Sequence, residues 1–153
     1  MRRLFLTFFY TGLLPKAPGT FGTIAGAIVA LPILWYFPPT TLFLATLLLS
    51  LVAVNEIDKE EASSGIHDAS EIVIDEVAGI WLALSMSGAT WWQILFSVVY
   101  FRLFDIWKPS LIGRIDRDVK GGLGVMGDDL LAGLLAAICS AGTYQLMLYL
   151  ELV

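Results

Sequence analysis

The sequence predicts an all-α, integral membrane helical bundle: about three spanning helices, a broken or re-entrant helical hairpin, and shorter interfacial helices. Three observations predict it. First, the stretches Ala17–Asn55, Val77–Phe101 and Leu130–Leu150 contain no Lys, Arg, Asp, Glu or His. A helix of ~20 apolar residues matches a hydrocarbon layer of ~30 Å, and the first stretch holds nearly two such lengths. Second, the chain is 58% hydrophobic and only 15% charged, against about a quarter charged in soluble domains, so a water-soluble fold would have to bury nearly all of it. Third, all nine Lys and Arg residues fall outside the three stretches. They share one face of the membrane if Val77–Phe101 turns back, and the positive-inside rule assigns that face to the cytoplasm.

Taken in order, Leu4–Leu14 is apolar and aromatic but short, and reads as an interfacial or packed helix ended by Pro15. Phe21–Phe37 is the first span. Gly22 and Gly26, four apart, allow a close helix approach there, and Pro32 is a candidate kink. Pro38-Pro39 turns the chain, and Thr41–Asn55 returns to the acidic run Glu56, Asp58, Glu60 and Glu61. Val77–Phe101 is interrupted by Ser85-Met86-Ser87-Gly88-Ala89-Thr90, which suggests two legs of about eleven residues rising only ~16 Å each, enough to dip into the bilayer but not to span it. Leu130–Leu150 is the final span. Residues 1–153 are read as one membrane-embedded domain.

Several classes are excluded. A net charge of −5, with the acids clustered near the apolar segments, is no nucleic-acid footprint. A single Cys139 inside an apolar run leaves no disulfide framework and no thiolate nucleophile. Arg2-Arg3 before an apolar run has the look of a signal peptide, but Pro15-Lys16 and the lack of a small-residue cleavage site argue that the start is retained.

The charges between the spans carry the chemistry. Lys16-Ala17-Pro18-Gly19-Thr20 opens the first span, where backbone N–H groups and the helix dipole make a seat for phosphate. Asp75-Glu76 enters an apolar helix with Gly79 four residues on, and Asp128-Asp129 with Gly133 repeats that arrangement. Carboxylates beside lipid-length helices cost several kcal/mol to desolvate unless compensated. Arg102, Asp105 and Lys108 fall along one helical side before Pro109. Asp116 to Asp129 reads as a flexible, glycine-punctuated loop that delivers two carboxylates to a helix start. His67, the only histidine, is a candidate proton carrier. Clustered acids interleaved with Lys and Arg are the composition of a magnesium site handling a phosphate, since hard divalent cations prefer carboxylate oxygens and the bases clamp the substrate.

The motifs Leu14-Pro15-Lys16-Ala17-Pro18-Gly19-Thr20, His67-Asp68, Ile72 through Gly79, Phe101 through Pro109, and Asp116 through Gly133 resemble, in order, those of the phosphatidylglycerophosphatase A family. The resemblance implies a bacterial inner-membrane, multi-pass, Mg2+-dependent phosphatase that removes the terminal phosphate of phosphatidylglycerophosphate, with its active site facing the cytoplasm. Ser110 stands where a second proline is common, outside the charged set. The expected catalytic residues are Asp75, Glu76, Asp105, Asp116, Asp128, Asp129 and His67, with Asp75, Glu76, Asp105, Asp128 and Asp129 as metal ligands. Lys16, Thr20, Arg102, Lys108 and Arg117 are expected to bind the phosphate, and either water or an aspartate fits the role of nucleophile. A cation-transport component is the rival reading, but it has little use for so many bases beside the acids.

Overall fold

A computed structural model describes residues 1–152, which form seven α-helices and, among the described residues, no strand. Three helices are long and apolar enough to cross a membrane: α2 (Pro18–Tyr36), α3 (Pro39–Ser64) and α7 (Gly122–Tyr149). Proline at the first position starts both α2 and α3, where its missing N–H costs nothing, and Gly65 ends α3 in the left-handed conformation (φ 71°).

The interrupted stretch folds as the hairpin α4 (Ile74–Ser87) and α5 (Trp91–Trp107). Gly88, at φ 111°, makes the turn, and Thr90 starts α5 with a reciprocal capping box to Gln93. The legs are longer than the sequence reading gave, at 14 and 17 residues, because α4 begins before the uncharged stretch and α5 runs through Arg102 and Asp105 to Trp107. At 1.5 Å per residue they rise about 21 and 26 Å. Trp91 packs edge-on against Trp35, ring centroids 6.0 Å apart, so the hairpin reaches the far end of α2.

Helix α4 is the centre of the bundle, with α2, α3, α7 and α5 packed around it. Its small residues Ala78, Gly79 and Ala83 are buried, and Trp81 donates from Nε1 to the Gly26 carbonyl at 2.8 Å. Gly22 meets Val73, and Gly26 meets Val77 and Ile80, so the glycine pair does bring α2 close. Polar groups inside the apolar zone find partners: Ser97 Oγ donates to Ser87 Oγ at 2.8 Å and Ser140 Oγ to the Gln93 carbonyl at 2.9 Å. On the outside, Ile28, Leu44, Leu48 and Leu51 are each more than 60% exposed, a surface suited to lipid and not to water.

Two further segments differ from the sequence expectation. Leu4–Leu14 is no single helix: α1 (Arg2–Leu6) stops at Thr7, the chain turns through left-handed Phe8, Phe9 and Tyr10, and a 3-10 turn follows at Thr11–Leu13. Thr7 Oγ1 donates to the Arg3 carbonyl and accepts from the Tyr10 N–H, diverting the backbone from the helical ladder. The glycine-punctuated stretch after α6 (Leu111–Asp118) is mostly helix, since α7 already begins at Gly122. The Asp58 carboxylate accepts from the Gly122 N–H at 2.7 Å, and Gly122 lies so close to the Val54 backbone that a Cβ would sit 2.3 Å from its carbonyl oxygen. This tertiary cap offsets the poor helix propensity of the glycines.

Candidate active site

The two acid-glycine motifs meet where α4 crosses α7. A Cβ on Gly133 would lie 2.2 Å from the Gly79 carbonyl oxygen, and one on Gly79 would lie 2.8 Å from that of Asp129. Neither position admits a side chain. With the helices this close, Asp75 and Glu76, in the first turn of α4, face Asp129 of α7, and one carboxylate oxygen of each lies within 4.8 Å of the others. Asp75 and Asp129 are 6% and 3% exposed. Asp75 Oδ1 and Glu76 Oε2 are buried without a hydrogen-bond partner.

Buried carboxylates this close repel one another, and their unpartnered oxygens ask for a cation. A hard divalent ion fits the oxygen-only donor set, so the residues present are compatible with a metal of that class.

These acids form the floor of a cavity of about 510 Å³ lined also by Lys16, Thr20, Asp68, Ser70, Arg102, Asp105, Ile106, Lys108 and Asp128. The start of α2 closes one side. Gly19 packs directly on Glu76, where a Cβ would meet Oε1 at 2.1 Å, which keeps the helix N-terminus against the acids. Lys16 is exposed and, among the described residues, makes no ion pair.

Arg102 holds Asp105 one helical turn on, reaches toward Glu76 at 4.0 Å, and touches Thr23 Oγ1 at 3.5 Å. Lys108 does not continue the stripe of Arg102 and Asp105, because it leaves α5 in a left-handed conformation (φ 45°). Its ammonium instead donates to Asp116 at 2.5 Å and Asp128 at 2.7 Å, tying α5 to α6 and α7. Burial works against that charge, but the two carboxylates outweigh it and hold the Lys108 pKa above the usual lysine value.

The structure thus gathers Asp75, Glu76, Asp105, Asp128, Asp129, Lys16, Thr20, Arg102 and Lys108 around one cavity. Asp116 is one step removed, paired with Lys108. His67 and Arg117 do not line the cavity. His67 Nδ1 lies 2.6 Å from Glu61 Oε1, which also accepts from the Asp68 N–H, so the histidine braces the turn that presents Asp68. Asp68 and Ser70 were given no role from sequence, although Asp68 sits beside the histidine that was singled out. Asp58 was also missed, because its action on Gly122 spans 64 positions.

Comparison with known proteins shows what the whole chain is similar to. The chain is 37% identical over 134 residues to phosphatidylglycerophosphatase A of Escherichia coli, covering 84% of this chain and 75% of that protein. It is also 37% identical to phosphatidylglycerophosphatase A of Haemophilus influenzae, covering 85% and 80%. A Bacteroides thetaiotaomicron protein, named provisionally as a phosphatidylinositol-3-phosphatase, is 34% identical, covering 88% of each chain. No solved structure matches the chain. The profile of the phosphatidylglycerophosphatase A family matches residues 4–144, and the protein belongs to that family of membrane phosphatases.

Proposed function

We propose that this protein hydrolyses the terminal phosphomonoester of phosphatidylglycerophosphate, giving phosphatidylglycerol and phosphate, with Mg2+ as cofactor. The observation that carries the reading is the trio of buried Asp75, half-buried Glu76 and buried Asp129, with unpartnered oxygens on Asp75 and Glu76, set in a cavity that also holds Arg102, Lys108 and the N-terminus of α2. Family membership supplies the substrate.

In this reading Asp75, Glu76 and Asp129 hold the metal. The chemistry that Mg2+ held by these three carboxylates would supply is neutralisation of phosphoryl charge and acidification of a water. Lys16 and the first turn of α2 receive the phosphate oxygens, while Arg102 offers its planar fork from α5, beside Gly19 and Thr23. Asp105 fixes the Arg102 guanidinium. Lys108 pairs with Asp128 beside Asp129 and is itself held in place by Asp116. Phosphoryl transfer is mostly positioning and charge stabilisation, which is what such a ring of residues provides. The cavity lies at the end of the bundle that carries the basic residues, on the cytoplasmic side of the bacterial inner membrane by the positive-inside rule.

The test is phosphate release from phosphatidylglycerophosphate in mixed micelles, with Mg2+ or with EDTA, beside phosphatidylinositol 3-phosphate as a competing substrate. We expect release that needs Mg2+, prefers phosphatidylglycerophosphate, and falls by about a thousandfold or more in Asp129→Asn. Preference for the inositol lipid would transfer the substrate assignment to the activity named for the Bacteroides relative. Undiminished turnover in Asp129→Asn would remove that residue from the metal site.

A further inference from the structure

A phospholipid must bring its headgroup to a polar cavity while its acyl chains stay in hydrocarbon, and the packing around α4 offers one seam for that. Around α4, α5 is packed closely on α7, whereas α2 touches both α5 and α3 only sparsely, and of those two sides it is the α5 side that carries Arg102 of the cavity wall. Two side-chain contacts mark the two ends of the seam. Near the site, Arg102 meets Thr23, and at the far end Trp91 meets Trp35.

The flanks along this seam are apolar and exposed. Residues four apart share a helical face, which sets Ile24 beside Thr20 on α2, and sets Leu95 and Ile106 on the Arg102 side of α5. Ile24, Leu95 and Ile106 are 45%, 50% and 71% exposed. Ile106 also lines the cavity, so the apolar flank runs into the polar site without interruption. Thr20 and Arg102 likewise belong to both the seam and the cavity wall.

We infer that the furrow between α2 and α5 is the lateral entry by which a phosphomonoester lipid reaches the cavity, its acyl chains lying along Ile24, Leu95 and Ile106. The occupant follows from continuity with the site: a ligand whose phosphate sits between Thr20 and Arg102 meets this exposed apolar flank, joined to the cavity through Ile106, on which to lay its chains while remaining in the bilayer. The inference rests on the proposed phosphomonoester-lipid substrate and adds the route and the surface that grips the chains. It predicts that binding energy from the chains, remote from the reacting phosphorus, is used in turnover.

Two measurements test it. The first is photolabelling in phosphatidylcholine vesicles with phosphatidylglycerophosphate carrying a diazirine on an acyl chain, against phosphatidylcholine carrying the same group. We expect the phosphomonoester probe to label the peptides around Ile24 and Leu95 about tenfold more than the control probe, with no such preference at Leu48 on α3. Equal labelling by both probes overturns the proposal, whatever the turnover. The second compares long-chain substrate with its acyl-free headgroup, glycerophosphoglycerophosphate. Ile24→Trp and Leu95→Trp should lower kcat/KM for the lipid about tenfold while turnover of the headgroup holds, and Leu51→Trp should change neither. Equal loss on both substrates, or loss on neither, overturns the proposal. Selective labelling without any phosphate release from wild type would instead overturn the proposed reaction and leave the entry standing.

Discussion

At the residue scale, the site depends on which member of each acidic pair faces inward. Asp128 and Asp129 are neighbours in sequence, yet about 100° apart on a helix. Asp129 joins Asp75 and Glu76, while Asp128 turns to Lys108. Lys108 is therefore structural as well as electrostatic. Asp128 is 4% exposed and its Oδ1 has no partner, so removing the ammonium would leave a buried charge uncompensated. Lys108→Met should destabilise the protein by about 3 kcal/mol, read as a lowered thermal midpoint in detergent, and adding Asp128→Asn should recover a large part of the loss. If the single variant unfolds at the wild-type midpoint, the ion pair contributes nothing to stability. Most acids and bases around the cavity, Asp68 excepted, are legible because charges between lipid-length segments have few structural explanations. The pairing of Lys108 is not, because it depends on the left-handed turn that takes Lys108 out of α5.

At the element scale, the closest helix contact decides the site. Gly133→Ala puts a methyl group 2.2 Å from the Gly79 carbonyl oxygen, so α4 and α7 must separate. It should cost about 1–3 kcal/mol and weaken metal binding, as measured by a thermal shift on Mg2+ addition. Gly142→Ala, nine positions further along the same helix, meets nothing within 4 Å and should stabilise by up to about 1 kcal/mol. Equal behaviour of the two variants would show that the crossing is not tight. The start of α7 offers a second check. Asp58→Ala removes the acceptor for the Gly122 N–H and should cost about 1 kcal/mol, whereas Asp58→Asn keeps a cap and most of the stability. The glycines before Asp128 read as a loop because local propensity favours one. Asp58 and the close Val54 backbone reverse that preference from another helix.

At the scale of the whole molecule, basic residues gather at the site end of the bundle, where Trp107 also stands, and a cluster of Trp and Tyr marks the other end. Lys16, Lys59, Arg102 and Lys108 lie toward the site end, whereas Trp35, Tyr36, Trp91, Trp92 and Tyr149 sit at the opposite ends of their helices. Tryptophan and tyrosine belong at membrane interfaces, and the basic end belongs inside. The proposed orientation predicts that, in a Cys139→Ser background, a membrane-impermeant maleimide added to intact cells labels Ala89→Cys at the hairpin turn but not Ser110→Cys beside α6. The reverse pattern would place the cavity outside.

The sequence by itself determined the helical membrane class, the three spans to within a few residues, a turn within Ser85–Thr90 and most of the charges that surround the cavity, though not Asp68. Lipid imposes a length and an apolar composition that are written locally, and ionisable groups beside such segments stand out against them. The tertiary structure alone decided how far the hairpin reaches, that the residues from Gly122 onward are helical, that Asp129 rather than Asp128 completes the acidic trio, and that His67 stays outside the cavity. Each of these is settled by a contact between residues far apart in the chain: Trp35 with Trp91, Asp58 with Gly122, Gly79 with Gly133, and the Asp75–Asp129 approach that this last crossing permits. Periodicity shows which residues share a helix face. Which face meets which depends on where a missing side chain lets two backbones touch.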